Sequence, residues 1–193
     1  MNDRSQRAFV LLLLALLMTA TRINHFAPVP DASWAVFFLG GLYLRAWTRW
    51  AFPLLMALAV VIDWLVISAQ GLAFWQHYCV SPGYVALVPA YLALWTGGAW
   101  LRGLPQRTTW MTLARGAAVL VVSVALCHLI AQGAFYWSSR SVAEPSVAGW
   151  LKNYSDWFAP YLRTTCAYVA AALLVHAGAR AAARRAAPRA AAH

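Results

Sequence analysis

Charge is what this chain has least of. Only 10% of its 193 residues are Asp, Glu, Lys or Arg, against about a quarter in a soluble domain. Acid is scarcer still, with five carboxylates against fifteen basic side chains. Cysteine occurs at Cys79, Cys127 and Cys166 alone. No CxxC or other zinc-like spacing links them, which argues against a thiolate zinc site or a dithiol redox motif. There is no P-loop, so the chain carries no such ATPase site. No GxSxG or HExxH signature is present either, and no internal repeat is evident.

What is present is apolar. Hydrophobic residues make up 63% of the chain, and the mean hydropathy is +0.61. That composition reads as an all-α integral membrane protein. One domain is expected over residues 1–180, followed by a basic Ala/Arg tail over 181–193. Eleven tryptophans and eight tyrosines fit aromatic belts at two interfaces and an aromatic-lined site. The net charge of +10 reads as membrane anchoring, because the arginines sit between apolar runs and in the tail. Membrane lipid is therefore an expected partner, and nucleic acid is not.

In chain order, Ala8 to Thr21 is the first apolar run, short for a span unless Arg22 snorkels and Ile23 extends it. A cleaved signal peptide is the competing reading of this run. Arg22 to Ser33 is a loop stiffened by Pro28 and Pro30, in which Asp31 or Ser33 can cap the next helix. That second helix begins over Trp34 to Leu44, with Gly40-Gly41 allowing a close neighbour. Phe52 to Ala69 is the third, with Pro53 in its first turn and Asp63 in its outer half. Tyr84 to Leu101 is the fourth, ending at Gly97-Gly98 and Trp100. Thr109 to about Tyr136 is the fifth. Ser138 to Trp157 reads as a polar, aromatic loop, and Phe158 to Ala179 as the sixth helix.

Orientation is set by arginine asymmetry. Arg4, Arg7, Arg45, Arg49, Arg102, Arg107, Arg115, Arg180, Arg184, Arg185 and Arg189 fall on one side. Arg22, Arg140, Lys152 and Arg163 fall on the other. This predicts six spans with both termini cytoplasmic. It also gathers the unusual residues at the outer end: His25, Asp63, His77, Cys79, Tyr84, His128, Arg140 and Arg163. Asp63 and Arg163 fall at similar depth, which predicts an ion pair, either structural or bonded to a polar ligand.

The most chemically loaded stretch is Gln76-His77-Tyr78-Cys79-Val80-Ser81-Pro82-Gly83-Tyr84. Pro82-Gly83 forces a turn. Cys127 and Cys166 lie in apolar runs and read as small buried hydrophobes. Cys79 lies in a polar loop. A single thiolate cannot close a metal site, but it can supply one axial ligand to a soft metal already held in a macrocycle. His77 and His25 could do likewise, or could lower the thiol pKa. Each of these histidines has a plain reading as a hydrogen-bonded interface residue.

Asn24 to Asp31 (NHFAPVPD), Trp34 to Gly41 (WAVFFLGG), Asp63-Trp64 and the HYCVSPGY loop together resemble the BtuM-type proteins. These are six-helix cobalamin transporters related to the substrate-binding S-components of energy-coupling-factor (ECF) uptake systems. The resemblance implies a six-transmembrane-helix bundle in a bacterial inner membrane that binds cobalamin from outside. It implies that Cys79 ligates the corrinoid cobalt and takes part in reductive decyanation of cyanocobalamin. Tyr84 and Asp63 would lie near the corrin and its amides. Cobalamin is then the substrate, and the chain has no cofactor of its own. S-components that dock on an ECF coupling module often carry Ala-xxx-Ala on the first helix. Here only Ala15-xxx-Thr19 approximates it, which allows a solitary transporter.

Two rival readings remain at this point. One is a haem- or quinone-linked membrane oxidoreductase subunit using His25 and His128. The other is an assembly subunit without a ligand.

Overall fold

A computed structural model describes residues 3–23, 30–77, 80, 82–104 and 109–190, the side chains of 109 and 186–190 apart. Six α-helices succeed one another with no strand among the described residues: α1 Asp3–Arg22, α2 Ser33–Leu44, α3 Thr48–Ala69, α4 Leu87–Gly103, α5 Thr109–Ser138 and α6 Val147–Ala190. Short 3₁₀ turns lie at Arg45–Trp47, Phe74–Gln76 and Pro82–Ala86. Five helical runs are long and apolar enough to cross a membrane: Asp3–Arg22, Ser33–Ala69, Pro82–Gly103, Trp110–Ser138 and Val147–Arg185. This is the character of a multi-pass membrane protein.

The second run contains both α2 and α3, and it does not run straight. Phe37 and Phe52 meet edge to face with ring centroids 5.5 Å apart. A continuous helix would separate residues fifteen positions apart by about 22 Å. The chain therefore folds back at Arg45–Trp47, and α2 and α3 form a hairpin. The third helix starts at Thr48 rather than at the expected Phe52. Pro53 is thus inside it, and the missing N–H leaves the Arg49 carbonyl without its helical donor.

Helix α2 is the centre of the bundle. It spans only twelve residues, ten of them buried, and measures about 18 Å. A helix apolar on every side must be enclosed by others, and α2 is packed against α1, α3, α4 and α6. Its closest partner is α4, and paired glycines make that contact. A Cβ added at Gly41 would collide with the Trp95 carbonyl, and one at Gly98 would collide with the Phe38 carbonyl. Backbone therefore lies on backbone, as small residues permit between membrane helices. The fourth helix, expected over Tyr84 to Leu101 with its end marked by Gly97-Gly98 and Trp100, runs over Leu87–Gly103. Both glycines sit inside it. Trp95 closes this layer, with its indole N–H donating to Thr48 Oγ1 at 2.9 Å.

Helix α1 buries Leu14, Met18, Thr21 and Arg22, a stripe at helical spacing. Phe9, Leu12, Leu13 and Leu16 are exposed on its other side, as a lipid-facing stripe would be. The largest departure from expectation is at α6. The polar loop expected over Ser138 to Trp157 is mostly helix, because α6 begins at Val147. Lys152 pairs with Asp156 one turn on at 2.6 Å, and Asn153 bonds Gln132 of α5. Those polar residues line one stretch of an amphipathic helix and do not interrupt it. The tail is likewise helical, to Ala190. Of the two cysteines expected to be buried, Cys127 is, whereas Cys166 is half-buried against the core edge.

The α2–α4 contact is open to a direct check. Gly41→Ala and Gly98→Ala are each expected to cost about 1–3 kcal/mol through overpacking, read as a lower thermal midpoint in detergent. Gly178, with nothing within 4 Å of an added Cβ, is the control. Gly178→Ala should hold or raise the midpoint, since alanine favours helix by about 1 kcal/mol over glycine.

Candidate functional site

The site is built around Arg22, the last residue of α1. Its position at the end of an apolar run predicts a side chain that snorkels to the interface. It is instead only 5% exposed. A guanidinium has five N–H donors and must find acceptors when buried. Nε and Nη2 form a bidentate pair with the two carboxylate oxygens of Asp63, both at 2.6 Å. Nη1 donates to Asp31 Oδ2 at 3.2 Å, Ser33 Oγ at 2.9 Å and the Tyr91 hydroxyl at 3.3 Å. Fork-to-carboxylate geometry of this kind is the strong form of the ion pair.

Each partner is fixed in turn by its own element. The Asp31 carboxylate accepts the Ser33 N–H at 2.9 Å and the Ser33 hydroxyl at 2.7 Å, satisfying a donor at the start of α2 although the N-cap position itself is Ala32, neither of the expected Asp31 or Ser33. Thr21 Oγ1 accepts the Ala32 N–H at 3.1 Å and donates to the Leu17 carbonyl at 2.9 Å. Tyr84, in the turn Pro82–Ala86, donates to Asp63 Oδ2 at 2.6 Å. Its ring meets Phe74 edge-on, with centroids 6.0 Å apart. Beside it the Gly83 N–H donates to Ser138 Oγ at 3.0 Å, which donates to the Ala134 carbonyl at 2.6 Å. A Cβ at Gly83 would strike both partners, so only glycine lets this turn sit so close to α5. One buried guanidinium thus gathers α1, α2, α3, the turn before α4, and α4 itself.

The cluster lies within the membrane-spanning part. Arg22 ends the first apolar run, and Asp63 and Tyr91 lie inside the second and third. Charged groups at such depth are held by partners or serve function. Two carboxylates face one guanidinium here, with two phenols and a hydroxyl completing the set. A cavity of about 200 Å³ adjoins it, lined by Arg22, Tyr84 and Tyr91 on one side and by apolar residues such as Met56, Val60 and Val88 on the other. That is below the roughly 300–1,000 Å³ of ligand pockets.

Several expectations are corrected. Asp63 does not pair with Arg163. Arg22 and Tyr84 occupy both its oxygens, and Arg163 is exposed on α6. Arg140 is exposed in the connection after α5 and joins no ion pair among the described residues. His128 is buried, at 1% exposed, with Nε2 hydrogen-bonded to the Tyr154 carbonyl at 3.0 Å. Trp34, Tyr154, Phe158 and Tyr161 surround its ring. It cross-links α5 to α6, and its engaged nitrogen and filled surroundings do not fit an axial haem ligand. His77 is half-buried after the Phe74–Gln76 turn, its N–H donating to the Phe74 carbonyl at 3.2 Å. His25 and Cys79 lie outside the described residues.

Arg22, Asp31, Ser33 and Tyr91 are the members that sequence reasoning did not assign to a site. The charges of Arg22 and Asp31 on either side of the Asn24–Val29 stretch were the available signal. No family model matches the chain, and no curated protein does.

The pairing yields a test. Asp63→Asn or Arg22→Gln is expected to cost about 3–5 kcal/mol by stranding a buried charge. The double variant should cost less than their sum, the mark of direct coupling. Arg163→Gln should change stability by no more than about 0.5 kcal/mol and should add independently to Asp63→Asn. The readout is thermal unfolding in detergent.

Proposed function

We propose that this protein binds cobalamin at the outer end of a six-span bundle and carries it across a bacterial inner membrane, with both termini cytoplasmic. One observation carries the reading. The two segments on which the BtuM resemblance chiefly rests are tied to the same buried cluster. Asn24–Asp31 is bracketed by Arg22 and Asp31, which are bonded to each other. The HYCVSPGY stretch ends at Tyr84, which is bonded to Asp63 and through it to Arg22. Two loops remote in sequence are thereby brought to one end of the bundle. A large ligand that touches both needs such convergence.

The α2–α3 hairpin supports six spans, since it supplies two passes from one continuous apolar stretch. Helix α2 alone is short of the bilayer, and its start beneath the outer surface leaves depth for a ligand above Arg22.

Within this reading Cys79 supplies a thiolate to the cobalt in place of a nitrogen base. Thiolate is a soft donor suited to such a metal. A thiolate donor of this kind would favour loss of cyanide when the cobalt of the substrate is reduced. The electrons for that decyanation come from a cellular reductant and not from the chain. Asp63 bonds Tyr84, five residues after Cys79 in the chain. Solitary operation is supported by α1. Ala15 packs toward the core, and the Thr19 hydroxyl bonds the Ala15 carbonyl at 2.8 Å, so this pair offers little to a coupling module. No observation favours the oxidoreductase reading, as His128 is committed to packing.

Cys79→Ser is expected to weaken cobalamin binding by at least about tenfold, the scale on which even outer-shell metal contacts count, and to change the bound spectrum. Cys127→Ser and Cys166→Ser should leave the spectrum alone. Spectral titration of the purified variants checks this. An unchanged spectrum and affinity in Cys79→Ser would remove cobalt ligation from the account.

A further inference from the structure

The link between α3 and the Pro82–Ala86 turn holds one large apolar side chain out. Helix α3 gives way to Gly71, whose φ of +73° suits glycine. The Gly71 N–H donates to the Ser68 carbonyl at 2.9 Å, and the Leu72 N–H to the Ile67 carbonyl at 3.3 Å. That is the bond pair of a Schellman end, which fixes the direction in which the chain leaves the helix. A 3₁₀ turn follows, with the Gln76 N–H donating to the Ala73 carbonyl at 2.9 Å and the His77 N–H to the Phe74 carbonyl at 3.2 Å. Phe74 is buried, and its ring meets those of Trp75 and Tyr84 edge-on with centroids 5.1 and 6.0 Å apart. Trp75 is thereby tied through Phe74 to Tyr84, and through Tyr84 to Asp63 and the Arg22 cluster.

Trp75 is 83% exposed, more than any other large hydrophobic side chain among the described residues. Val85, next to Tyr84 in the chain, is 74% exposed. The other exposed tryptophans, Trp50, Trp64, Trp100, Trp110, Trp137 and Trp157, all stand on α-helices. An aromatic belt at the membrane interface accounts for them. Trp75 stands on a connection, between a buried phenylalanine and the polar pair Gln76-His77. Cys79 is four positions further along the chain, a reach of at most about 14 Å. A rigidly presented indole offers a large contact area with only two χ angles to fix. Aromatic anchors of this kind carry much of the energy at binding surfaces.

We propose that Trp75 is a ligand-contact residue of the outer site, packing its indole against the methyl-bearing macrocycle of a corrinoid whose cobalt is held by Cys79. This inference rests on the cobalamin reading. The two side chains act differently. Cys79 sets the axial bond to the metal, whereas Trp75 supplies apolar area and touches no metal.

The experiment titrates the full chain in detergent with cyanocobalamin, reading affinity by calorimetry and the axial ligand from the corrinoid bands. Trp75→Ala is expected to bind about tenfold more weakly or worse, the scale of an aromatic anchor, and Trp75→Phe to recover most of that loss. At saturation both variants should show the wild-type spectral shift, which Cys79→Ser should not. An unchanged thermal midpoint of ligand-free Trp75→Ala separates a lost contact from a lost fold. The emission missing from Trp75→Phe gives the share of Trp75 in the fluorescence. Corrinoid is expected to quench that share, and brominated lipid in nanodiscs to spare it. The reverse pattern would overturn the proposal by assigning Trp75 to the aromatic belt. Wild-type affinity in Trp75→Ala would overturn it too, while leaving the cobalamin reading in place. A wild-type protein that binds no corrinoid would end both.

Discussion

The structure depends on satisfying one buried guanidinium. Arg22 cannot reach bulk water from where α1 ends, and an uncompensated charge at that depth would be prohibitive. Its donors are met by four residues from three other places in the chain: Asp31 and Ser33 at the head of α2, Asp63 in α3, and Tyr91 in α4. Because each acceptor has a direction, the requirement fixes more than distance. It fixes the rotation of α3 and α4 about their axes and the height at which α2 begins. A bidentate pair is the most demanding of these contacts, since it sets the plane of the fork against the plane of the Asp63 carboxylate.

A second constraint works at the other side of the same helices. The α2 and α4 backbones touch through Gly41 and Gly98. Dispersion and close approach, not hydrophobic exclusion, hold helices together in lipid. The glycine contact is therefore the packing counterpart of the polar cluster. Helix α2 is fastened at its start by charge and along its length by backbone contact. That division of labour explains how a helix too short to cross a bilayer can be the central element. It also explains why the Pro82–Ala86 turn is held from both flanks, by Tyr84 on Asp63 and by Gly83 on Ser138.

Much of this was legible in the residues, and the failures have physical causes. Membrane character, the close approach at Gly40-Gly41 and the polar head of α2 at Asp31 come from composition or local chemistry, and the placing of Asp63 and Tyr84 at one end comes from the arginine asymmetry. The Arg22–Asp63 pair does not, because forty-one residues separate the partners and nothing local marks an arginine as buried. Depth alone matched Asp63 to Arg163, but depth says nothing of which face of a helix a side chain occupies. The early start of α6 was hidden by its polarity. Lys152, Asn153, Ser155 and Asp156 look like a loop when counted, yet they are spaced as one side of a helix that bonds α5 through Asn153. His128 looked like a ligand because imidazole is rare in an apolar run, and it proves to be a packing residue with one committed nitrogen.

The central claim is that the convergence of two loops on the Arg22 cluster serves a corrinoid. Absorption titration of the detergent-purified wild-type protein with cobalamin tests it most directly. The account predicts saturable binding at one corrinoid per chain, with a shift of the corrinoid bands that reports a changed axial ligand. An unshifted spectrum with no corrinoid retained after gel filtration would contradict it, as would a Soret band from haem carried through purification.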